Sequence, residues 1–175
     1  MILNRQKKVR VALAPLKEFL DRVQKEAGIG RAELTICFVS NAEMARMNLA
    51  FRRKKGPTDV LSFPAVKRRR PGSLGKNANA KRGDAEGTWK KRKKWQVASD
   101  ERRAREYQGK AFLGDIAIAP EVARRYAKEH GRTLRDELQI LILHGVLHLL
   151  GYDHETDRGQ MDRLERQLRR RFGLT

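Results

Sequence analysis

Three of the chain's four histidines lie within eleven residues, from His144 to His154. His144 and His148 are four residues apart, so a helix would place them one turn apart on one face. Gly151 is typical of a helix end in the left-handed conformation, after which the chain can turn back and bring His154 to the same point. Three neutral imidazoles with a fourth position open to water are typical of a catalytic zinc site. The segment therefore predicts a helix in the C-terminal half of the chain that ends at a site for one zinc ion.

The spacing of these histidines equals that of the metzincin proteases, whose zinc motif is H-E-x-x-H-x-x-G-x-x-H. Where those proteases have a glutamate, the general base for peptide hydrolysis, this chain has Gly145. Because glycine cannot carry a proton, the motif keeps the metal ligands and lacks the protease base. A zinc peptidase is therefore an alternative, but the substitution favours a different hydrolysis.

The rest of the chain alternates between strand and helix periodicity. Apolar alternation predicts strands over residues 33–39, 59–63 and 112–119, with an additional edge strand over 2–5. Amphipathic spacing and capping residues predict helices over 9–27, 41–53, 120–130, 133 to about 150, and 159–172. The pattern predicts an α/β (α+β) fold, in one domain over residues 1–175, with about five helices and up to four strands.

The formal net charge of +19 indicates a polyanionic partner, either nucleic acid or an anionic membrane surface. Residues 67–110 contain sixteen Lys and Arg against five Asp and Glu, with little aliphatic periodicity, which predicts a flexible basic insertion. Trp89 and Trp95 flank five consecutive basic residues there, a combination that suits single-stranded RNA. A solvated insertion without function is the alternative.

Membrane insertion is not expected. The longest apolar stretch, around 138–150, is too short to span a bilayer, and the N-terminus lacks the apolar core of a signal peptide. Cys37 is the single cysteine, so no intramolecular disulfide forms, and its apolar surroundings predict a buried thiol. These features predict a cytoplasmic protein.

Three blocks of sequence, in order, resemble the YbeY family of bacterial endoribonucleases that mature ribosomal RNA. The first block combines NLAFR at 48–52 with PTDVLSFP at 57–64. The second is LGDIAI at 113–118, and the third is HGVLHLLGYDH at 144–154. The resemblance covers about residues 33–64 and 112–155.

This resemblance implies a small mixed four-stranded sheet packed against helices and one Zn²⁺ bound by His144, His148 and His154. It implies a zinc-dependent endoribonuclease, specific for single strands, that matures the 3′ end of small-subunit (16S) ribosomal RNA and acts in ribosome quality control. The expected partners are single-stranded RNA, ribosomal RNA and the small ribosomal subunit. The family's functional arginine corresponds to Arg52. The insertion at 67–110 departs from the family, whose connection there is much shorter.

For the chemistry, a guanidinium at Arg52 can bind a phosphate through two parallel hydrogen bonds. Asp59 or Asp153 could orient a metal-binding histidine, although Asp153 is better explained as a turn residue. His130 is expected to be structural, at a helix end. The pattern identifies no general base, and a non-enzymatic RNA-binding assembly factor is a further alternative.

Overall fold

The computed structural model describes residues 1–30, 32–65 and 112–174, and within these ranges it contains four strands and five helices. In chain order they are β1 (Ile2–Asn4), α1 (Leu13–Glu26), β2 (Glu33–Phe38), α2 (Asn41–Arg52), β3 (Val60–Pro64), β4 (Phe112–Ile118), α3 (Pro120–Glu129), α4 (Leu134–Leu149) and α5 (Gln160–Phe172). Each of these elements was predicted from the sequence, including the edge strand β1. The basic insertion predicted at 67–110 lies outside the described residues.

The first helix starts later than its apolar pattern predicts. Val9 is buried, as a helical core residue would be, but it belongs to the preceding loop. There the Gln6 side chain accepts a hydrogen bond from the Val9 N–H at 2.9 Å and donates one to the Val9 carbonyl at 2.8 Å. This side chain satisfies the backbone groups of Val9, so the helix begins only at Leu13.

The four strands form one mixed sheet in the order β1-β2-β4-β3. Strands β1, β2 and β4 run parallel, and β3 pairs antiparallel to β4 at one edge. The hydrophobic cores on the two faces of the sheet differ in size. The larger core lies on the face that carries Ile36, Phe38, Ile116 and Ile118, together with residues of α1, α4 and α5. A smaller cluster on the other face contains Leu61 and Ala117 with Met44 of α2 and Val122 of α3.

Cys37 lies on the second face and is half-buried, not fully buried as its apolar surroundings predicted. Its neighbour in the register is Leu3 of the edge strand β1, which is itself 40% exposed. Burial raises the pKa of the Cys37 thiol, and the nearby Arg5 only partly offsets this.

Helix α4 runs through the larger core. From Glu137 to Leu150 every residue is buried except His144 and His148. At Gly145 a Cβ atom would lie 2.8 Å from side-chain atoms of Ile116, closer than real contacts allow, so glycine permits α4 to pack tightly on β4. From Glu137 onward the helix therefore reaches the surface only at His144 and His148, which are two of the predicted ligands. Among the described residues, no helix is long and apolar enough to cross a membrane.

Candidate metal centre

The structure brings the three predicted ligands together. The ligand nitrogens of His144, His148 and His154 lie within 4.8 Å of one another. The Nε2 atoms of His144 and His148 are 3.1 Å apart, and the ring of His154 lies 5.3 Å from each of the other two rings, centroid to centroid. His144 and His148 are partly buried, whereas His154 is exposed. The cluster is therefore anchored in the core on one side and open to solvent on the other.

This geometry fits a metal ion. Zinc binds imidazole nitrogens at about 2.0–2.1 Å, so two ligands of a tetrahedral ion lie about 3.3 Å apart. The pair formed by His144 and His148 is close to that separation, and His154 adds a third nitrogen within 4.8 Å of the other two. Within the described ranges, the group that could hold a metal consists of these three side chains. Three nitrogens with an open side are the donor set of a site where a metal can also bind water or substrate.

The loop after α4 positions His154. Gly151 has a φ of +89°, and the Tyr152 N–H donates to the Leu147 carbonyl at 3.1 Å, which closes the helix end as predicted. Asp153 then accepts hydrogen bonds from the Glu155 N–H at 3.0 Å and from the Thr156 hydroxyl at 2.8 Å. Asp153 is thus a turn residue, and the two turns hold His154 between them.

The carboxylate that orients a histidine is Glu165 of α5. Nδ1 of His144 donates to Oε2 of Glu165 at 2.9 Å. Asp59, one of the two residues predicted for this role, instead accepts hydrogen bonds from the neighbouring Thr58 hydroxyl and Val60 N–H. Because its Nδ1 carries the proton, His144 presents the lone pair of Nε2 to the cluster.

Glu165 is held in its charged form. Burial alone would raise the pKa of its carboxyl group, but the hydrogen bond from His144 and the positive charge of Arg169 outweigh burial, so the pKa lies below its usual range. Arg169, one turn later on α5, forms an ion pair with the second carboxylate oxygen. The sequence does contain a signal for this residue. Glu165 follows Met161 by four residues and precedes Leu168 by three, so it lies on the buried face of an amphipathic helix.

The pKa of His148 lies well below its ordinary value. Burial, followed by the neighbouring His144 and His154, lowers the pKa of His148 to about 4. At neutral pH its imidazole is therefore uncharged, and no proton has to leave before it binds a metal.

Arg52, the predicted phosphate ligand, reaches the edge of the cluster. Its Nη2 atom lies 2.7 Å from Oε1 of Glu155, a residue 103 positions away that directly follows His154. Arg52 is the last residue of α2, and Arg53 ends the helix in the left-handed conformation with a φ of 56°. The N–H of Lys54 donates to the Asn48 carbonyl at 3.3 Å across this helix end.

Comparison with known proteins places the chain in a family. The sequence model described as "Endoribonuclease YbeY" matches residues 1–173. The chain belongs to the YbeY family. The endoribonuclease YbeY of Koribacter versatilis is 37% identical over 174 residues, covering 99% of this chain and 86% of that protein. That of Solibacter usitatus is 36% identical over 159 residues, covering 91% and 78%.

A solved structure supports the same family fold. The solution structure of a Thermotoga maritima protein superimposes with a TM-score of 0.53 at 25% sequence identity, covering 95% of this chain and 85% of that one. The YbeY resemblance of the three sequence blocks and the predicted α/β fold are thus confirmed. In this YbeY-family chain, Gly145 packs against Ile116 of β4. The position that carries a glutamate in the metzincin proteases therefore lies in the core here and has no room for a side chain.

Proposed function

We propose that the chain is a metal-dependent endoribonuclease that cleaves single-stranded RNA at the three-histidine centre. The observation that carries the proposal is the convergence of His144, His148 and His154 on one point whose outer side faces solvent. Membership of the YbeY family supports RNA as the substrate, because the relatives are named as endoribonucleases. Net charge of +19 supports the same class of substrate.

Zinc is the metal that we propose for this centre, one ion per chain. Three imidazoles suit zinc, although they also suit other transition metals. When bound, zinc supplies a Lewis acid that activates water near neutral pH and polarises a phosphoryl oxygen. The chain's own contribution is to keep His148 uncharged and to fix the ring of His144 through Glu165.

Arg52 is proposed to bind the phosphate at the cleavage site. Its ion pair with Glu155 is exposed on both sides, and such pairs contribute only about 0–1 kcal/mol, so a phosphate can compete for the guanidinium. When no RNA is bound, Glu155 holds the side chain of Arg52 next to His154. RNA cleavage places additional negative charge on the phosphate oxygens, and losing a donor aimed at that charge typically lowers the rate by about 10²–10³.

The biological substrate that we propose is the 3′ end of small-subunit ribosomal RNA, with a role in ribosome quality control and the small ribosomal subunit as partner. Family membership supports this assignment. We further propose that residues 1–175 are one domain and that the basic segment 67–110 adds affinity for RNA. That segment carries a net charge of +11, which would strengthen binding through phosphate contacts.

A peptidase is less well supported by the same site. Peptide hydrolysis in the matching motif depends on a glutamate next to the first ligand, and here Gly145 packs against Ile116. A purely RNA-binding assembly factor would have no use for an open side on the metal cluster.

Two substitutions test the proposal. His148→Ala should lose both bound metal and cleavage of single-stranded ribosomal RNA fragments, whereas Arg52→Glu should keep the metal and lose cleavage. Metal content is measured by elemental analysis of purified protein, and cleavage by mapping the RNA ends. His130→Ala on α3, outside the cluster, is the control and should retain both properties. Full ribonuclease activity in both site variants would contradict the assignment.

A further inference from the structure

An aromatic side chain next to Arg52 is left open to solvent. Phe51, on the last turn of α2, is 67% exposed, although the sheet and the smaller core lie directly beneath the helix. Single exposed apolar residues are common on protein surfaces, so exposure alone indicates nothing. Three further observations, its ring contact, its charged neighbours and its place beside the metal centre, distinguish Phe51.

The first observation is a contact that fixes the ring. Phe51 and Phe63 are 4.9 Å apart between ring centroids, with an angle of 70° between their planes. Phe63 belongs to β3 and packs partly buried against the smaller core, so it gives the exposed ring a firm support. An edge-to-face contact of this kind occupies at most one face of either ring. The ring of Phe51 is therefore held in place by Phe63, and at least one of its two faces remains accessible.

The second observation is the charge around this ring. Four consecutive basic residues, 52–55, follow Phe51, and all four are exposed. Arg52 pairs with Glu155, whereas Arg53, Lys54 and Lys55 form no ion pair with any residue that the structure describes. An accessible aromatic face bordered by unpaired cations suits single-stranded RNA, because bases stack on the ring while the cations attract phosphates. The same surplus of positive charge does not favour a purely apolar protein contact.

The third observation is the position of the ring. Arg52 follows Phe51 in the chain and contacts Glu155, which follows His154. A strand of RNA with its phosphate at Arg52 would therefore pass Phe51 within a few nucleotides of the metal centre.

We propose that Phe51 stacks against one base of the RNA substrate, close to the phosphate that is cleaved. The inference rests on the endoribonuclease function proposed above and adds a source for its specificity. In a duplex both faces of a base are already stacked on neighbouring pairs, whereas in a single strand a base can turn out onto an aromatic side chain. Phe51 is thus a positioning residue that selects unpaired RNA.

The first experiment compares substitutions at position 51. Phe51→Ala and Phe51→Leu should raise KM for a single-stranded RNA on the order of tenfold with little change in kcat, since stacking contributes binding. Phe51→Tyr, which keeps the aromatic face, should behave as the unaltered protein. Leu49→Ala, which removes a 55% exposed apolar side chain from the same helix, is the matched control and should have no effect. Bound metal and the melting temperature should be unchanged in Phe51→Leu, which retains an apolar contact with Phe63.

The second experiment identifies the base. A set of RNAs, each with one abasic nucleotide at a different distance from the cleavage site, is cleaved by the unaltered protein and by Phe51→Ala. One abasic position should raise KM for the unaltered protein and leave KM of Phe51→Ala unchanged. Equal effects of the abasic positions on both proteins would overturn the stacking proposal, as would Phe51→Leu acting like Phe51→Tyr.

The two proposals fail in different ways. If the unaltered protein cleaves no RNA in its metal-loaded form, the proposed function is wrong, and the stacking proposal with it. If the protein cleaves RNA and Phe51→Ala cleaves equally well, only the stacking proposal is wrong. Normal cleavage of free RNA by Phe51→Ala, combined with lost association with a ribosomal protein, would show that the ring instead contacts a protein.

Discussion

Helix α4 and helix α2 each bring side chains to the histidine cluster, and they differ in how much of each helix is buried. From Glu137 to Leu150, α4 is buried everywhere except at its two histidines. Helix α2 buries Met44 and Asn48 but leaves its last turn exposed, ending in Phe51 and Arg52. The proposed metal ligands therefore depend on the packing of the core, whereas the proposed RNA contacts depend on the surface.

This difference separates two kinds of effect. A change on the α4 side should alter metal binding and stability together, because ligand geometry and core packing share the same helix. A change at the end of α2 should alter RNA cleavage while metal content and stability remain the same. Metal removal and substitutions that affect α4 show whether the two sides are separable in this way.

Removing the metal should have the largest effect. Treatment with a chelator is expected to abolish RNA cleavage, and added zinc should restore it, because the histidine cluster is where we place the chemistry. RNA binding measured by fluorescence anisotropy should persist in the metal-free protein, since residues 51–55 carry no ligand of the cluster. Loss of RNA binding together with the metal would show that the two sides are coupled.

Glu165→Gln should weaken metal binding by about 10–100-fold, because the neutral amide is a poorer partner for Nδ1 of His144. Competition with a chromogenic chelator measures the affinity. Glu26→Gln is the matched control. Glu26 of α1 pairs at 2.6 Å with Arg171 of α5, the helix that carries Glu165, and it forms no ion pair with a histidine among the described residues. Equal affinity in the two variants would remove Glu165 from the metal centre.

Gly145→Ala should lower the free energy of unfolding by about 1–3 kcal/mol, because the new methyl group would meet Ile116 at 2.8 Å. Urea unfolding measures the change, and metal affinity should fall as α4 shifts. Gly30→Ala places a methyl group where no atom lies within 4 Å and should be nearly neutral. If both variants unfold alike, the close approach of α4 to the sheet is not required.

The smallest expected effect is on the pH dependence of the metal-free protein. His148 has a pKa of about 4 in the folded chain against 6.5 ordinarily, so between these values only the unfolded chain binds the proton. The free energy of unfolding should therefore fall as the pH falls from 6.5 towards 4. We expect the free energy of unfolding to change by on the order of 1–2 kcal/mol over this range, since solvent screens this partly exposed ring.

His148→Gln removes the titrating group and should flatten that part of the stability curve, measured by urea unfolding at successive pH values. His130→Gln, at the end of α3 and hydrogen-bonded to the Tyr126 carbonyl, removes a histidine outside the cluster and serves as the control. Identical slopes in the unaltered protein and His148→Gln would contradict the prediction.

Most of the fold and the convergence of the three histidines could be predicted from the sequence, because both follow from spacings within short segments. His144 and His148 lie one helical turn apart, Gly151 ends the helix, and the side chains of Ser40 and Thr133 cap the starts of α2 and α4. Such patterns need no knowledge of which elements pack together.

Contacts between distant segments were harder to predict. Glu165 lies 21 residues from His144, and only the packing of α5 on α4 shows which carboxylate meets the ring. Glu155 lies even farther from Arg52, and its pairing depends on how the last turn of α2 faces the loop after α4. The exposure of Phe51 was likewise not predicted, because an apolar residue in a helix is ordinarily assigned to the core.

The left-handed cap at Arg53 has a consequence for anyone who wishes to make this protein more robust. A side chain at that φ carries a steric penalty of about 1–2 kcal/mol that glycine would avoid. Arg53→Gly would therefore be an obvious choice for raising the melting temperature. It would also delete a cation beside the path we propose for RNA, so a thermostable version chosen by heat alone would be expected to hold its substrate less tightly at physiological salt.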